Sequence, residues 1–113
     1  MSSPVTWFEI TSAGADRLHA FYADLFGWSI QPIEGMGYGV VEAAEGGIGG
    51  GLASGEGAGG TVVYVQVDDP QAYLDRVEQA GGKTVVPVTV IPDMVTFAQF
   101  ADPEGNVVGL VQA

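Results

Sequence analysis

The strongest constraint on the fold is that the chain repeats one pattern of secondary structure. In each half a β-rich segment precedes an amphipathic helix, and strand-like segments follow. Trp7 and Val62 hold matching positions in the two opening strands, and a glycine-rich connector over residues 55–60 separates the halves. The 113 residues therefore predict one α+β domain of two β-α-β-β-β modules, about 4–54 and about 61–113.

Each half contains one predicted helix with clear end signals. The first covers Asp16–Phe26 and ends at Gly27, and the second begins at Pro70 behind Asp69, a favourable N-cap. His19, the single histidine, is predicted to lie on the solvent side of the first helix. The residues expected to form the buried face of that helix are Leu18, Phe21, Tyr22 and Leu25.

The remaining segments of each half are predicted strands. Pro87 is expected to end the first strand after the second helix, because proline suits only the edge or end of a strand. Residues 102–105 have the composition of a hairpin turn rather than of a catalytic carboxylate pair. The predicted strands are residues 37–43 and 48–54 in the first half, and Lys83–Val86, Val95–Ala101 and Asn106–Gln112 in the second.

Charge and composition exclude several classes of function. Three basic residues oppose fourteen acidic ones, which gives a net charge of −11 and argues against binding to nucleic acid or to an anionic membrane surface. The chain has no cysteine, so disulfides, thiolate nucleophiles and cysteine-based metal sites are excluded. The first residues do not resemble a signal peptide, and we expect a cytoplasmic protein.

Strand alternation assigns the candidate site residues of the first half to one face of the sheet. Phe8 and Ile10 are expected to meet the first helix, which leaves Trp7, Glu9 and Thr11 on the opposite face. Glu9 beside a tryptophan in a concavity could act as a base with a shifted pKa or pair with a cationic ligand. It could equally be a carboxylate that hydrogen-bonds to neighbouring strands or lies at a dimer interface.

The second half offers neutral polar groups on the corresponding face. Alternation puts Val62, Tyr64 and Gln66 there, with a hydroxyl and an amide that could orient a small molecule or simply fill the interior. On the strand Val95–Ala101, the alternation leaves two assignments open. Phe97 and Gln99 share one face of this strand, and Thr96, Ala98 and Phe100 share the other.

Several motifs resemble the vicinal oxygen chelate superfamily, which includes glyoxalase I, extradiol dioxygenases and bleomycin-resistance proteins. The resemblance covers nearly the whole chain and implies a cupped mixed sheet, helices on its outer face and commonly a homodimer. It also implies that Phe100, which precedes the Asp-Pro turn, lies in the core, and this gives Phe97 and Gln99 to the candidate site. The segments that carry it are Thr6-Trp7-Phe8-Glu9-Ile10, Asp16-Arg17, Phe21-Tyr22, Leu25-Phe26-Gly27-Trp28 and Phe100-Ala101-Asp102-Pro103-Glu104-Gly105-Asn106.

The same resemblance implies a member without a metal or another cofactor. Metal enzymes of the superfamily place about four ligand side chains on the cupped face, at positions that correspond here to Trp7, Gly51, Val62 and Gly109. None of these four residues can bind a metal through its side chain. The two glycines also leave room for a ligand or a backbone to approach.

Three hypotheses of function follow. The first is a metal-free protein that binds an aromatic or cationic small molecule, as bleomycin-resistance proteins do. The second is a metal-independent lyase or isomerase with Glu9 as general base, and the third is a dimerisation module without a ligand. The predicted ligand-binding residues are Trp7, Glu9, Gly51, Val62, Tyr64, Gln66, Phe97, Gln99 and Gly109.

Overall fold

The computed structural model describes residues 2–55 and 60–113, so most of the predicted connector, residues 56–59, lies outside the described residues. Neither helix of the described chain has the length and hydrophobicity that crossing a membrane requires. The elements of the described residues are, in order, β1 (Val5–Ser12), α1 (Ala15–Phe26), β2 (Ile30–Ile33), β3 (Tyr38–Val41), β4 (Gly49–Ser54), β5 (Gly60–Val67), α2 (Pro70–Gln79), β6 (Lys83–Ile91), β7 (Val95–Ala101) and β8 (Val107–Gln112).

These elements form two compact units. The N-terminal unit is residues 7–62, and the C-terminal unit is residues 63–113 together with the segment before residue 7. In the N-terminal unit the strand order is β2-β3-β4-β1, with β1 and β4 parallel and the other pairs antiparallel. In the C-terminal unit the order is β5-β8-β7-β6, with β5 and β8 parallel. The predicted α+β class, with mixed sheets built from two β-α-β-β-β modules, is confirmed.

The core of the C-terminal unit lies between α2 and its sheet. Leu74 of α2 is 2 % exposed and belongs to one cluster with residues of β5, β7 and β8. Phe100 packs against this cluster, which confirms its predicted place in the core. The Asp69 side chain accepts a hydrogen bond from the backbone N–H of Ala72 at 3.2 Å, as its predicted role as N-cap requires. The buried members of the cluster are Val67, Leu74, Ala98 and Leu110.

The orientation of α1 differs from the prediction, although its bounds agree within one residue. Phe21 and Leu25 are 56 % and 59 % exposed, whereas His19 is half-buried. The physical reason is Gly39 on β3, where an added Cβ would lie 2.6 Å from two atoms of the imidazole. The missing side chain makes room for the ring, so the prediction that His19 faces solvent was wrong. Its Nε2 atom is buried and has no hydrogen-bond partner in residues 2–55 and 60–113.

Two strand predictions also need correction. The short strand β2 was not predicted, because its residues Ile30-Gln31-Pro32-Ile33 contain a proline and have little alternation. Pro87 does not end β6, which continues to Ile91. β6 is an edge strand, so a backbone N–H on its outer side is not needed for strand pairing. Shifts of register on both sides of Val86 also accommodate the proline.

The predicted turn between β7 and β8 is confirmed. The backbone N–H of Gly105 donates to the carbonyl oxygen of Asp102 at 2.9 Å, and Gly105 has a φ of 89°, which favours glycine. The Asp102 carboxylate accepts hydrogen bonds from the backbone N–H groups of Glu104 and Asn106, each at 2.9 Å. This carboxylate therefore stabilises the turn.

Candidate functional site

In the N-terminal unit three polar or aromatic side chains meet on the face opposite α1. The Trp7 Nε1–H donates to the Tyr38 hydroxyl at 3.2 Å, and that hydroxyl donates to Glu9 Oε2 at 3.0 Å. An indole N–H can only donate and an ionised carboxylate can only accept, so the phenol oxygen accepts from Trp7 and its own O–H donates to Glu9. We call this arrangement the Trp7–Tyr38–Glu9 chain.

The register of the strands brings the three side chains together. The parallel pair β1 and β4 aligns Glu9 with Gly51, and the antiparallel pair β3 and β4 aligns Tyr38 with Ala53. A Cβ added at Gly51 would lie 1.8 Å from the Tyr38 hydroxyl oxygen and 2.1 Å from Cζ. The space that glycine leaves at this position is therefore occupied by the Tyr38 side chain.

Burial changes the acid–base properties of Glu9. Desolvation raises the pKa of the Glu9 carboxyl above its ordinary value, and the hydrogen bond from Tyr38 opposes this effect only in part. The side chains of Trp7 and Glu9 are half-buried, so both keep access to solvent. This combination of a desolvated carboxyl and an adjacent indole could pair with a cation or take up a proton.

In the C-terminal unit, Tyr64 occupies the corresponding space above Gly109. Tyr64 is 5 % exposed, and a Cβ added at Gly109 would lie 2.2 Å from its ring. The Gln99 side-chain Nε2 donates to the Tyr64 hydroxyl at 2.7 Å, and the Phe97 ring meets the Tyr64 ring edge-on with centroids 6.4 Å apart. Phe97 and Gln99 thus lie on the predicted face of β7.

The two clusters occupy matching positions in the two units. Glu9 is the parallel-strand partner of Gly51, as Tyr64 is of Gly109. The antiparallel partner of Gly51 is Val40, and that of Gly109 is Gln99. Tyr38 and Phe97 each stand two residues before these partners. The repeated scaffold therefore carries a carboxyl–phenol contact in the N-terminal unit and a phenol–phenyl contact in the C-terminal unit.

The remaining predicted residues are half-buried in β5. Val62 lies near the start of that strand, and the backbone N–H of Gln66 donates to the carbonyl oxygen of Pro4 at 2.8 Å. A depression of about 280 Å³ at the β6–β7 hairpin tip and the end of β8 includes none of the nine predicted residues. Their role in ligand binding remains a prediction.

Tyr38 is the site residue that the sequence reasoning missed. Its signal is weak, since it stands between Gly37 and Gly39 at the start of a four-residue strand.

Within residues 2–55 and 60–113, no three acidic or histidine side chains are grouped closely enough to hold a metal ion.

Comparison with known proteins defines the class and then the family. This chain is similar to a structure of methylmalonyl-CoA epimerase from Mycobacterium tuberculosis, with 15 % identity and a TM-score of 0.71. The superposition covers 99 % of this chain and 91 % of the epimerase chain. A glyoxalase/bleomycin resistance protein/dioxygenase superfamily member from Vibrio splendidus 12B01 covers 99 % and 100 %, with 16 % identity and a TM-score of 0.69. The chain thus has the fold of these two proteins.

Sequence similarity gives the narrower assignment. The family model described as "Glyoxalase-like domain" matches residues 7–111, and the chain belongs to this family. A curated relative, "Putative glyoxylase CFP32" from Mycobacterium bovis, is 32 % identical over 124 aligned positions. That alignment includes 95 % of this chain but 44 % of the relative, so the chain spans less than half the length of the relative.

Proposed function

We propose that this protein binds a small molecule with an aromatic group and a positive charge, without a metal, beside the Trp7–Tyr38–Glu9 chain. The observation that carries the proposal is the half-buried Glu9 carboxyl next to the Trp7 indole. A desolvated carboxylate is stabilised by a nearby cation, and an indole face attracts both cations and aromatic rings. The net charge of −11 also favours the approach of a cationic ligand.

Calorimetric titration with two compounds of similar shape tests this proposal. Benzylamine carries a positive charge at neutral pH and benzyl alcohol does not, so we expect benzylamine to bind more tightly. Glu9→Gln should weaken benzylamine binding by about tenfold or more, the usual effect of losing a hydrogen bond to a charged group. Glu34→Gln removes one exposed carboxylate from the same unit and serves as the control. Equal binding of both compounds would contradict the proposal.

The binding should also depend on pH in a defined direction. Glu9 has a raised pKa, and only its ionised form attracts a cation. Benzylamine affinity should therefore fall as the pH decreases through the pKa of Glu9. The same titration with Glu9→Gln should show no such decrease.

A second candidate is a metal-independent lyase or isomerase that uses Glu9 as general base. It is favoured by the raised pKa of the carboxyl, since a general base works best when its pKa lies near the operating pH. Several structural neighbours are named as epimerases, and an epimerisation moves a proton. The test measures whether the protein exchanges carbon-bound protons of candidate carbon acids with heavy water. Exchange that Glu9→Gln abolishes while ligand binding persists would support the lyase or isomerase.

We further propose that the protein is a cytoplasmic homodimer. Phe21, Leu25 and Phe26 of α1 are each more than half exposed, and such a cluster is typical of a surface covered by a partner. Analytical ultracentrifugation should show a dimer that Phe21→Ser weakens, with Asp24→Ser on the same helix as control. A monomer at all concentrations would overturn this proposal.

A further inference from the structure

Tyr38 already occupies one oxygen of the Glu9 carboxylate. The phenol O–H donates to Oε2, because an ionised carboxylate can only accept, and the phenol oxygen accepts from the Trp7 N–H. The phenol ring lies directly above the Gly51 backbone, within the space that a Cβ would fill. A ligand therefore meets a carboxylate that is engaged by the protein on one side.

We infer that Tyr38 makes this site select ammonium groups over amidinium and guanidinium groups. The inference rests on the proposed function, since it concerns the cation that pairs with Glu9. Planar amidinium and guanidinium groups bind a carboxylate best through two parallel N–H···O bonds, one to each oxygen. An ammonium group acts as a compact point charge and does not need both oxygens.

Displacing Tyr38 to admit a planar cation would have a further cost. The Trp7 N–H would lose its acceptor at 3.2 Å, and a half-buried donor without a partner is unfavourable. The planar cation must then disrupt the Trp7–Tyr38–Glu9 chain, share Oε2 with the phenol O–H, or bind through Oε1 alone. Each alternative weakens its binding relative to an ammonium group, which needs only one oxygen.

The test compares benzylamine with benzamidine, which share a phenyl ring and differ in the cationic group. Calorimetry on the wild type should show tighter binding of benzylamine. Tyr38→Phe removes the hydroxyl and should shift the ratio of the two dissociation constants toward benzamidine by about tenfold, the value of one charge-assisted hydrogen bond. Tyr22→Phe, which removes a phenol hydroxyl from α1 in the same unit, should leave the ratio unchanged.

The possible outcomes separate the two proposals. If neither compound binds the wild type, the proposed function fails. If both bind and Tyr38→Phe leaves their ratio unchanged, the inference about Tyr38 is wrong while the binding site stands. If Tyr38→Phe does not fold, phenethylamine and phenethylguanidine are compared on the wild type, and equal or tighter binding of the guanidine overturns the inference.

Discussion

Two carboxyl groups of this chain respond in opposite ways to their surroundings. Burial raises the pKa of Glu9, since the protein replaces water around the carboxyl with a single described hydrogen bond from Tyr38. The pKa of Asp102 is lowered, chiefly by side-chain and backbone hydrogen bonds from Asn106. The ionised form is thus disfavoured at Glu9 and favoured at Asp102. The first group is suited to exchange a proton or a ligand, and the second to hold a turn.

The shift at Glu9 predicts how stability depends on pH. When the pKa is higher in the folded than in the unfolded state, the folded state binds more protons between the two values, and stability falls as pH rises through that window. The window begins near the ordinary value of 4.5. Thermal unfolding should show that Glu9→Gln gains stability relative to the wild type between pH 4 and pH 7. A constant difference across this range would contradict the prediction.

The glycine beneath Tyr64 should not tolerate a side chain. In Gly109→Ala the new methyl group would overlap a ring that is 5 % exposed, and such overpacking typically costs about 1–3 kcal/mol. Chemical denaturation measures the loss. Gly47→Ala is the control, since its Cβ would meet only a carbonyl oxygen at 3.5 Å. Equal stability of the two variants would show that Tyr64 moves aside easily.

At the scale of elements, the sequence predicts α2 well and α1 only in part. The ends of both helices follow from local signals, such as the Asp69 cap and Gly27, which has a φ of 70°. The buried face of α1 depends instead on the partner strand. Counting apolar residues favours Phe21, whereas Gly39 on β3 has room for His19. No local pattern in the helix contains that information.

His19 should therefore contribute more to stability than Phe21. His19→Ala leaves a void against Gly39 and should cost about 1–2 kcal/mol, within the range for partly buried side chains. Phe21 is 56 % exposed, so at protein concentrations too low for the proposed dimer Phe21→Ala should change stability less, although more apolar surface is removed. Urea unfolding of both variants gives the comparison. A larger loss of stability for Phe21→Ala would mean that Phe21 lies on the buried face of α1, as the sequence predicts.

The candidate site shows the same limit of sequence reasoning. Alternation along a single strand correctly places Trp7 and Glu9 on one face, because it needs no knowledge of neighbouring strands. Tyr38 joins them only through the pairing of β3 with β4 and of β4 with β1. Those registers depend on contacts between distant segments. The sequence analysis predicted open space at Gly51 and Gly109. Tyr38 and Tyr64 occupy that space, and this too depends on how distant strands pair.

For the whole molecule, the dominant property is a net charge of −11 from fourteen acidic and three basic residues. Repulsion between like charges destabilises the compact state, and salt screens it over about 10 Å at 0.1 M. The midpoint of thermal unfolding should therefore rise between 0.02 M and 0.5 M sodium chloride. The screening length is longer than about 10 Å at the lower concentration and shorter at the higher one. Sucrose at matched osmolality controls for effects that do not involve charge. An unchanged midpoint in salt would mean that the acidic groups are too far apart to interact.

The matching registers of the two units make the chemistry of one unit transferable to the other. Tyr64 and Phe97 stand on the same backbone positions as Glu9 and Tyr38, and in each pair the tyrosine lies above a glycine. Exchanging two side chains, Tyr64→Glu and Phe97→Tyr, would rebuild the carboxyl–phenol pair on a backbone that already has the required geometry. The chain thus contains its own template for a second carboxyl–phenol pair, and a protein engineer could build one without designing a new scaffold.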